Sequence, residues 1–285
     1  MKSTTLTDAE LAALSSDELI GKIKTLSGLK HRVLYYGPLA QRELIAKLDA
    51  EHHTAETLTD PCTERKVAIP QQVDENRVIM AHYDAKQIYY TQYSKNATDD
   101  FSTADDAIIN IYNGYFGGGM NAIVFQEMRE ARGLAYTARA YYSELQYPEQ
   151  GYRFTAFIAT QNDKMQQAVE AFDEIIENMP QSQAAFDIAK QSALASIETA
   201  RTTKANVLWQ YIENEQKGIE GDRNKAIYEQ LKTMTLDDVI KFQQERIKGR
   251  KYTYIILGDE NDLDMNYLRS LGKVTMVSQQ EIFGY

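Results

Sequence analysis

The sequence predicts an α+β fold, a two-layer sandwich in which helices pack on one face of a mixed or antiparallel β-sheet. Three observations predict it. Between Tyr152 and Ala159 the residues Tyr152, Phe154, Ala156 and Ile158 recur at every second position, the period of a half-buried strand. Between Ala104 and Tyr115 the spacing changes to that of one helix face, with Ala104, Ala107, Ile108, Ile111, Tyr112 and Tyr115 in a stripe. The strand-like stretches are followed by several helical ones, the order of a sheet covered on one side.

Read in order, the chain first shows a partial internal repeat. Ser15 to Pro38 can be laid on Thr235 to Asp259 with one residue inserted in the second copy, and each copy reads as cap, helix, strand and glycine. In the first, Ser15 or Ser16 precedes Asp17 and Glu18, a hydroxyl cap with early acids, and Arg32 to Tyr36 is expected as an apolar strand. In the second, Thr235 caps Asp237 and Asp238, and Tyr252 to Leu257 reads as a central strand. A helix follows each, over Ala40 to Glu51 and Leu263 to Leu271.

Thr54 to Gln72 is polar and carries Pro61 and Pro70, the composition of a linker. The expected division is therefore residues 1–60, the tail of a preceding domain copy with the start of the linker, and residues 61–285, a complete second copy. Within the second, Arg77 to Tyr83 and Gln87 to Tyr93 read as strands of a hairpin joined by Asp84 to Lys86. Ser102 and Asp105 form a capping-box pair before the helix that Gly117, Gly118 and Gly119 end. A shorter helix is expected over Asn121 to Arg132, strands over Tyr136 to Ser143 and Tyr152 to Ala159, and three helices after them. Those three are marked by Met165 to Ile176, by Phe186, Ala189, Ala193 and Ile197, and by Leu208 to Ile212. Acid-rich stretches such as Val169 to Glu177 read as solvated faces.

Composition removes whole classes of function. With 285 residues, 43% hydrophobic and 25% charged, the chain can bury a core. No stretch approaches the roughly 18 apolar residues of a membrane helix, and the start, with acids where a greasy run would stand, shows no signal peptide. Compartment stays open. A net charge of −10 argues against a nucleic-acid partner, which needs clustered cations. The single cysteine, Cys62, excludes an internal disulfide and a cysteine-based metal cluster. The glycine run follows a helix and lacks a GKS or GKT ending, so it reads as a tight turn rather than a phosphate cradle.

The wider string NGYFGGGMNAIVFQEMREARGLAYTARAYYS, Asn113 to Ser143, closely resembles the signature of the pitrilysin/insulysin family, the inverted zincins that include the mitochondrial processing peptidases. The resemblance implies a processing-peptidase-like metallopeptidase domain across roughly Lys66 to Tyr285. Members of that family hold zinc through HxxEH and a distant glutamate, two imidazoles and a carboxylate around the ion with a second glutamate as base. This sequence has four histidines, His31, His52, His53 and His82, and its nearest approach, His53-Thr-Ala-Glu56-Thr57, ends in threonine. His52 and His53 read as a solvated helix end and His82 as a sheet residue. The chain is thus expected to be the C-terminal non-catalytic half, inactive alone, with no metal or cofactor of its own and with zinc in the catalytic half.

By the same resemblance, an arginine and a tyrosine seven positions apart reach the substrate backbone from this half. Arg129 and Tyr136 occupy those positions, and Arg132 is a competing arginine. A guanidinium can hold peptide carbonyls and a phenol can donate to a carbonyl or a developing oxyanion. The competing reading pairs Arg129 with Glu127 or Glu130 at the surface and packs Tyr136 in the core. Gly117, Gly118, Gly119, Asn121 and Phe125 are expected to shape the wall of the substrate chamber. Tyr141, Tyr142 and Tyr147 are candidates for an aromatic recognition patch, or else sheet and core residues. The expected partners are a peptide substrate and a zinc-bearing half, in the same polypeptide or a separate subunit, with a homodimer as a further arrangement. Two other readings are a catalytically inert assembly subunit of the same fold and an independent peptide-binding module.

Overall fold

The computed structural model describes residues 6–61 and 67–283. Cys62 lies outside the described residues. In the first segment, Thr7 and Ser15 each close a capping box onto short helices, α1 (Asp8–Ala13) and α2 (Ser16–Thr25), and α3 (Gln41–Glu51) follows. Arg32 to Tyr36 does not become a strand. It joins no ladder; among the described residues of this segment the one β-contact is a bridge between Leu29 and Thr59. Val33 and Tyr36 are consequently exposed.

The second segment holds a six-stranded sheet built from β1 (Arg77–His82), β2 (Gln87–Ser94), β3 (Thr137–Glu144), β4 (Tyr152–Gln161), β5 (Thr253–Gly258) and β6 (Lys273–Met276). The order across it is β3-β4-β2-β5-β1-β6. β1, β5 and β6 run parallel, whereas β2, β3 and β4 pair antiparallel, so the sheet is mixed as expected. The expected hairpin of β1 and β2 does not form. β5 lies between them, in register with Arg77 to His82 on one side and with Tyr89 to Tyr93 on the other. The loop Asp84 to Lys86 crosses over the end of β5, where the Tyr83 amide donates to the Gly258 carbonyl. The apolar run Tyr252 to Leu257 gains partners on both edges by this insertion, which a hairpin would deny it.

Helices cover one face. The helices of this segment are α4 (Asp106–Phe116), α5 (Ile123–Phe125), α6 (Met165–Glu177), α7 (Gln183–Thr199), α8 (Lys204–Lys217), α9 (Arg223–Thr233), α10 (Leu236–Phe242), α11 (Met265–Leu271) and α12 (Gln279–Phe283). Before α4, Ser102 accepts from the Ala104 amide and a 3-10 turn spans Thr103–Asp105. Asp105 does not complete the expected capping box, because its carboxylate faces Arg246. The α4 stripe Ala107, Ile111, Tyr112 and Tyr115 is buried, as are Met165, Ala168, Val169, Phe172 and Ile176 of α6. These pack on Val78, Met80, Ile88, Tyr90, Phe154, Ala156, Ile158 and Ile256 of the covered sheet face. The other face is open, and Tyr89, Ile255 and Leu257 lie exposed on it.

Charged groups tie the layers where apolar packing stops. Arg223 at the start of α9 bonds Asp106 of α4 at 2.5 and 2.7 Å and Glu144 of β3 at 3.2 Å, and Lys217 adds 2.9 Å to Glu144. A cation shared by two partly buried carboxylates in this way holds Glu144 below the usual carboxylate range against the push of burial.

Candidate functional site

Two helix ends converge on the β3 edge of the sheet. α4 ends at Gly117, where a Cβ would stand 1.9 Å from the Ala140 carbonyl oxygen of β3. Gly118 is constrained less severely, since its Cβ would meet the Asn113 carbonyl oxygen at 2.7 Å, while Gly119 faces open space. Asn113 pins this junction by donating to the Tyr142 carbonyl at 2.8 Å and accepting its amide at 2.9 Å. Gly118, Gly119 and Asn121 line a cavity of about 290 Å³ against α7, whereas Gly117 is buried under β3 and Phe125 stands elsewhere.

Beyond the glycines, α5 runs directly into a π turn, Gln126–Ala131. The chain leaves that turn through Gly133, at φ 59°, and the amides of Leu134 and Ala135 both donate to the Met128 carbonyl. The Thr160 hydroxyl holds the Leu134 carbonyl at 2.5 Å, and the Tyr136 amide donates to Ala159 to open the β3–β4 ladder. Both ends of the connection are therefore fixed, and the two predicted residues stand on them.

They meet. The Arg129 guanidinium carbon lies 5.0 Å from the Phe125 ring centroid and 5.4 Å from that of Tyr136. A cation over two ring faces is attracted by their quadrupoles, worth about 0.5–1 kcal/mol per ring at an exposed position. Tyr136 is not a core residue, being 72% exposed. Arg129 has one long ion contact, 3.7 Å from Nε to Glu130, and its side chain is 44% exposed. Arg132 is engaged differently, at 2.8 Å to Glu174 of α6 and 3.6 Å to Glu127. The corner thus presents one arginine stacked beside an exposed phenol and a second arginine committed to ion pairs.

Sequence reading missed a neighbour. Arg139, two positions on from Thr137 and on the open sheet face, lies 4.8 Å over the Phe157 ring. The clue was the alternation in Thr137-Ala-Arg139-Ala-Tyr141, which puts Arg139 and Tyr141 opposite the buried alanines. Of the candidate tyrosines, Tyr141 is exposed on that face, but Tyr142 belongs to the core. Its hydroxyl donates to Asp99 at 2.8 Å and its ring stacks on Tyr152 at 5.3 Å, and burial pushes its phenol well above the usual range. Tyr147 caps a turn through its backbone amide, bonded to Gln150. His52 caps α3 and its Nε2 lies 2.7 Å from Nε2 of His31, away from this corner. The corner's donors do not suit zinc, for no histidine lies between Gly117 and Tyr142 and Glu127 and Glu130 each face an arginine.

The family model described as the peptidase M16 inactive domain matches residues 25–193, more than half of the chain. The chain belongs to the peptidase M16 inactive-domain family. A search of curated proteins found no match. Among solved structures, the M16 inactive domain of Pseudomonas fluorescens is 18% identical with a TM-score of 0.58, over 78% of this chain and 51% of that one. A conserved protein of Enterococcus faecalis V583 is 15% identical with a TM-score of 0.69, over 90% and 59% of the two chains. A protease of Helicobacter pylori is 15% identical with a TM-score of 0.62, over 88% and 61%. At these identities the likeness is one of fold. This M16 chain spans about half to three-fifths of the length of these structures.

Proposed function

We propose that this M16 inactive domain is the accessory, C-terminal half of a zinc metallopeptidase of pitrilysin/insulysin type. It supplies a wall of the substrate chamber and holds the peptide for a catalytic half that carries the zinc, upstream in the same polypeptide or on a separate subunit. Arg129 and Tyr136 make the contacts, the guanidinium on peptide carbonyls and the phenol on a carbonyl or the oxyanion that develops from it. The observation that carries this reading is the stack of Arg129 on Tyr136, both exposed and both on anchored backbone, while Arg132 is spent on Glu174 and Glu127.

Residues 1–60 are the tail of a preceding copy of the domain and 61–285 the inactive copy itself. The unpaired, apolar stretch around Val33 and Tyr36, aligned by sequence with β5, supports this, since β5 is paired on both edges. The open sheet face with Tyr89, Ile255 and Leu257 supports a protein partner, because contiguous exposed apolar surface marks an interface. No described helix is long and apolar enough to cross a membrane.

The test is peptide hydrolysis and bound zinc, measured on this chain alone and then mixed with a zinc-bearing half from the same source. Activity gained only on mixing supports the accessory role; hydrolysis with stoichiometric zinc by this chain alone overturns it. The second reading, an inert assembly subunit, takes the same fold without the peptide contact and is met if mixing yields a complex and no change in turnover.

A further inference from the structure

The end of the sheet that carries Tyr136 carries a second cluster. Ala159 pairs with both Thr137 and Tyr89, and Leu257 pairs with both Tyr89 and Ala81. Tyr136, just before Thr137, and His82, just after Ala81, therefore leave the sheet at the same end. They stand four strands apart, roughly 19 Å at about 4.8 Å per strand.

At that end β1 and β5 stop side by side. His82 is in register with Gly258, and the Tyr83 amide bonds the Gly258 carbonyl at 3.0 Å. Gly258 is closely hemmed, since a Cβ there would stand 2.9 Å from Ile88 Cγ2 and 3.1 Å from Leu263 Cδ1. The residues that follow it, Asp259 and Glu260, come up beside His82. His82 Nδ1 lies 2.7 Å from Glu260 Oε2, and one ligand atom from each of His82, Asp259 and Glu260 falls within 4.8 Å of the others. Asp259 is oriented by its own turn, taking the Asn261 amide and side-chain nitrogen at 2.9 Å each through one oxygen.

We propose that His82, Asp259 and Glu260 form a binding site for a divalent first-row transition ion of the zinc class. One imidazole nitrogen and two carboxylate oxygens are the donor set that such ions take, with water completing the shell. Bonds of about 2.0–2.2 Å put neighbouring donors roughly 3–4 Å apart, so the widest pair, within 4.8 Å, closes by up to about 1–2 Å while the His82–Glu260 pair opens slightly from 2.7 Å to admit the ion. The local charge favours a cation, with Asp84 also acting on His82. Lys86 is the opposing cation, and it lies 3.6 Å from Asp262. Glu260 raises the affinity of His82 for a proton, and the ion takes that proton's place, so binding weakens in acid and releases a proton. The site stands whether or not the accessory role does. A motif scan cannot find it, because His82 and Glu260 are 178 positions apart and only β1–β5 pairing unites them.

Titration of the full chain with zinc chloride, followed by calorimetry near neutral pH, tests it. One ion bound per chain is expected, with the heat depending on the buffer as protons are released. His82→Ala and Glu260→Gln, both surface changes checked for fold by circular dichroism, should each weaken binding by about tenfold or more. The His31→Ala/His52→Ala double variant, which removes the other imidazole pair, should leave it intact. No binding up to about 1 mM zinc, or binding that survives His82→Ala and Glu260→Gln, overturns the assignment. So does binding that the double variant alone abolishes.

Discussion

Asp99 and Arg250, from opposite ends of the domain, form a two-pronged ion pair at 2.6 and 2.8 Å with both side chains all but removed from solvent. Asp99 precedes α4 and Arg250 precedes β5, so the pair fastens the start of β5 to the approach to α4. The Tyr142 hydroxyl and the Asn96 amide fill the remaining acceptor positions on the carboxylate. Burial alone would push Asp99 up, but the Arg250 bonds and charge, with those two donors, hold it below the ordinary carboxylate value.

Removing one partner leaves the other buried and unpaired. Asp99→Ala and Arg250→Ala should each destabilise the chain by about 3–5 kcal/mol, measured by urea unfolding. Asp99 has its folded pKa depressed, so its contribution is present above the unfolded value near about 3.9 and is lost as pH falls through the lower folded value. Wild-type stability should therefore fall steeply below about pH 4, and Asp99→Ala should lack that part of the slope.

Asp173 behaves in the opposite sense. The acid-rich stretch Val169 to Glu177 reads as solvated, yet Asp173 turns toward the sheet and accepts from the Gln92 amide of β2. Burial pushes its pKa up to about 6, with Glu177 and Glu170 adding to the rise and the Gln92 bond opposing it. A carboxyl raised in the folded state favours folding while protonated, and that stability is lost as pH rises from the unfolded value of about 3.9 to about 6. Asp173→Asn keeps an acceptor for Gln92 without the charge. Thermal unfolding near pH 8 should show a gain of up to about 3 kcal/mol, vanishing near pH 4.

The glycine run separates into required and free positions. Gly117→Ala drives a methyl into the Ala140 backbone of β3 and should destabilise by about 3 kcal/mol or more. Gly119→Ala meets nothing and should lie within about 0.5 kcal/mol of wild type. Chemical denaturation of the two variants side by side checks this, and equal losses would contradict the close approach of α4 to β3.

Local periodicity carried most of the fold. The Tyr152 to Ile158 alternation and the α6 face are buried as their spacing requires, and so are Ala107, Ile111, Tyr112 and Tyr115 of the α4 stripe; Ala104 falls in the exposed turn before α4 and Ile108 is only half-buried, with Ile109 buried beside it. What escaped depends on distant partners. The β1–β2 hairpin failed because β5, far along the chain, competes for the same edges. The edge strand β6 is four residues long, and α9 buries only Ile227 and Leu231, so neither carried enough pattern to be read. Tyr142 and Tyr141 are adjacent, and only the strand phase sends one to the core and the other to the surface. The Arg129–Tyr136 pair came from resemblance to a family signature; its stacking on Phe125, the engagement of Arg132 and the presence of Arg139 required the fold.

The most direct test of the accessory-half account is the steady-state hydrolysis of a peptide by the mixed halves, with Tyr136→Phe and Arg129→Ala in this chain. Both residues are exposed, so the fold should be intact by circular dichroism. Loss of a donor to a developing oxyanion should lower kcat by about tenfold to a hundredfold for Tyr136→Phe, and loss of peptide anchoring should lower kcat/KM for Arg129→Ala. Unchanged kcat and KM in both variants would contradict the account and leave the domain as scaffold alone.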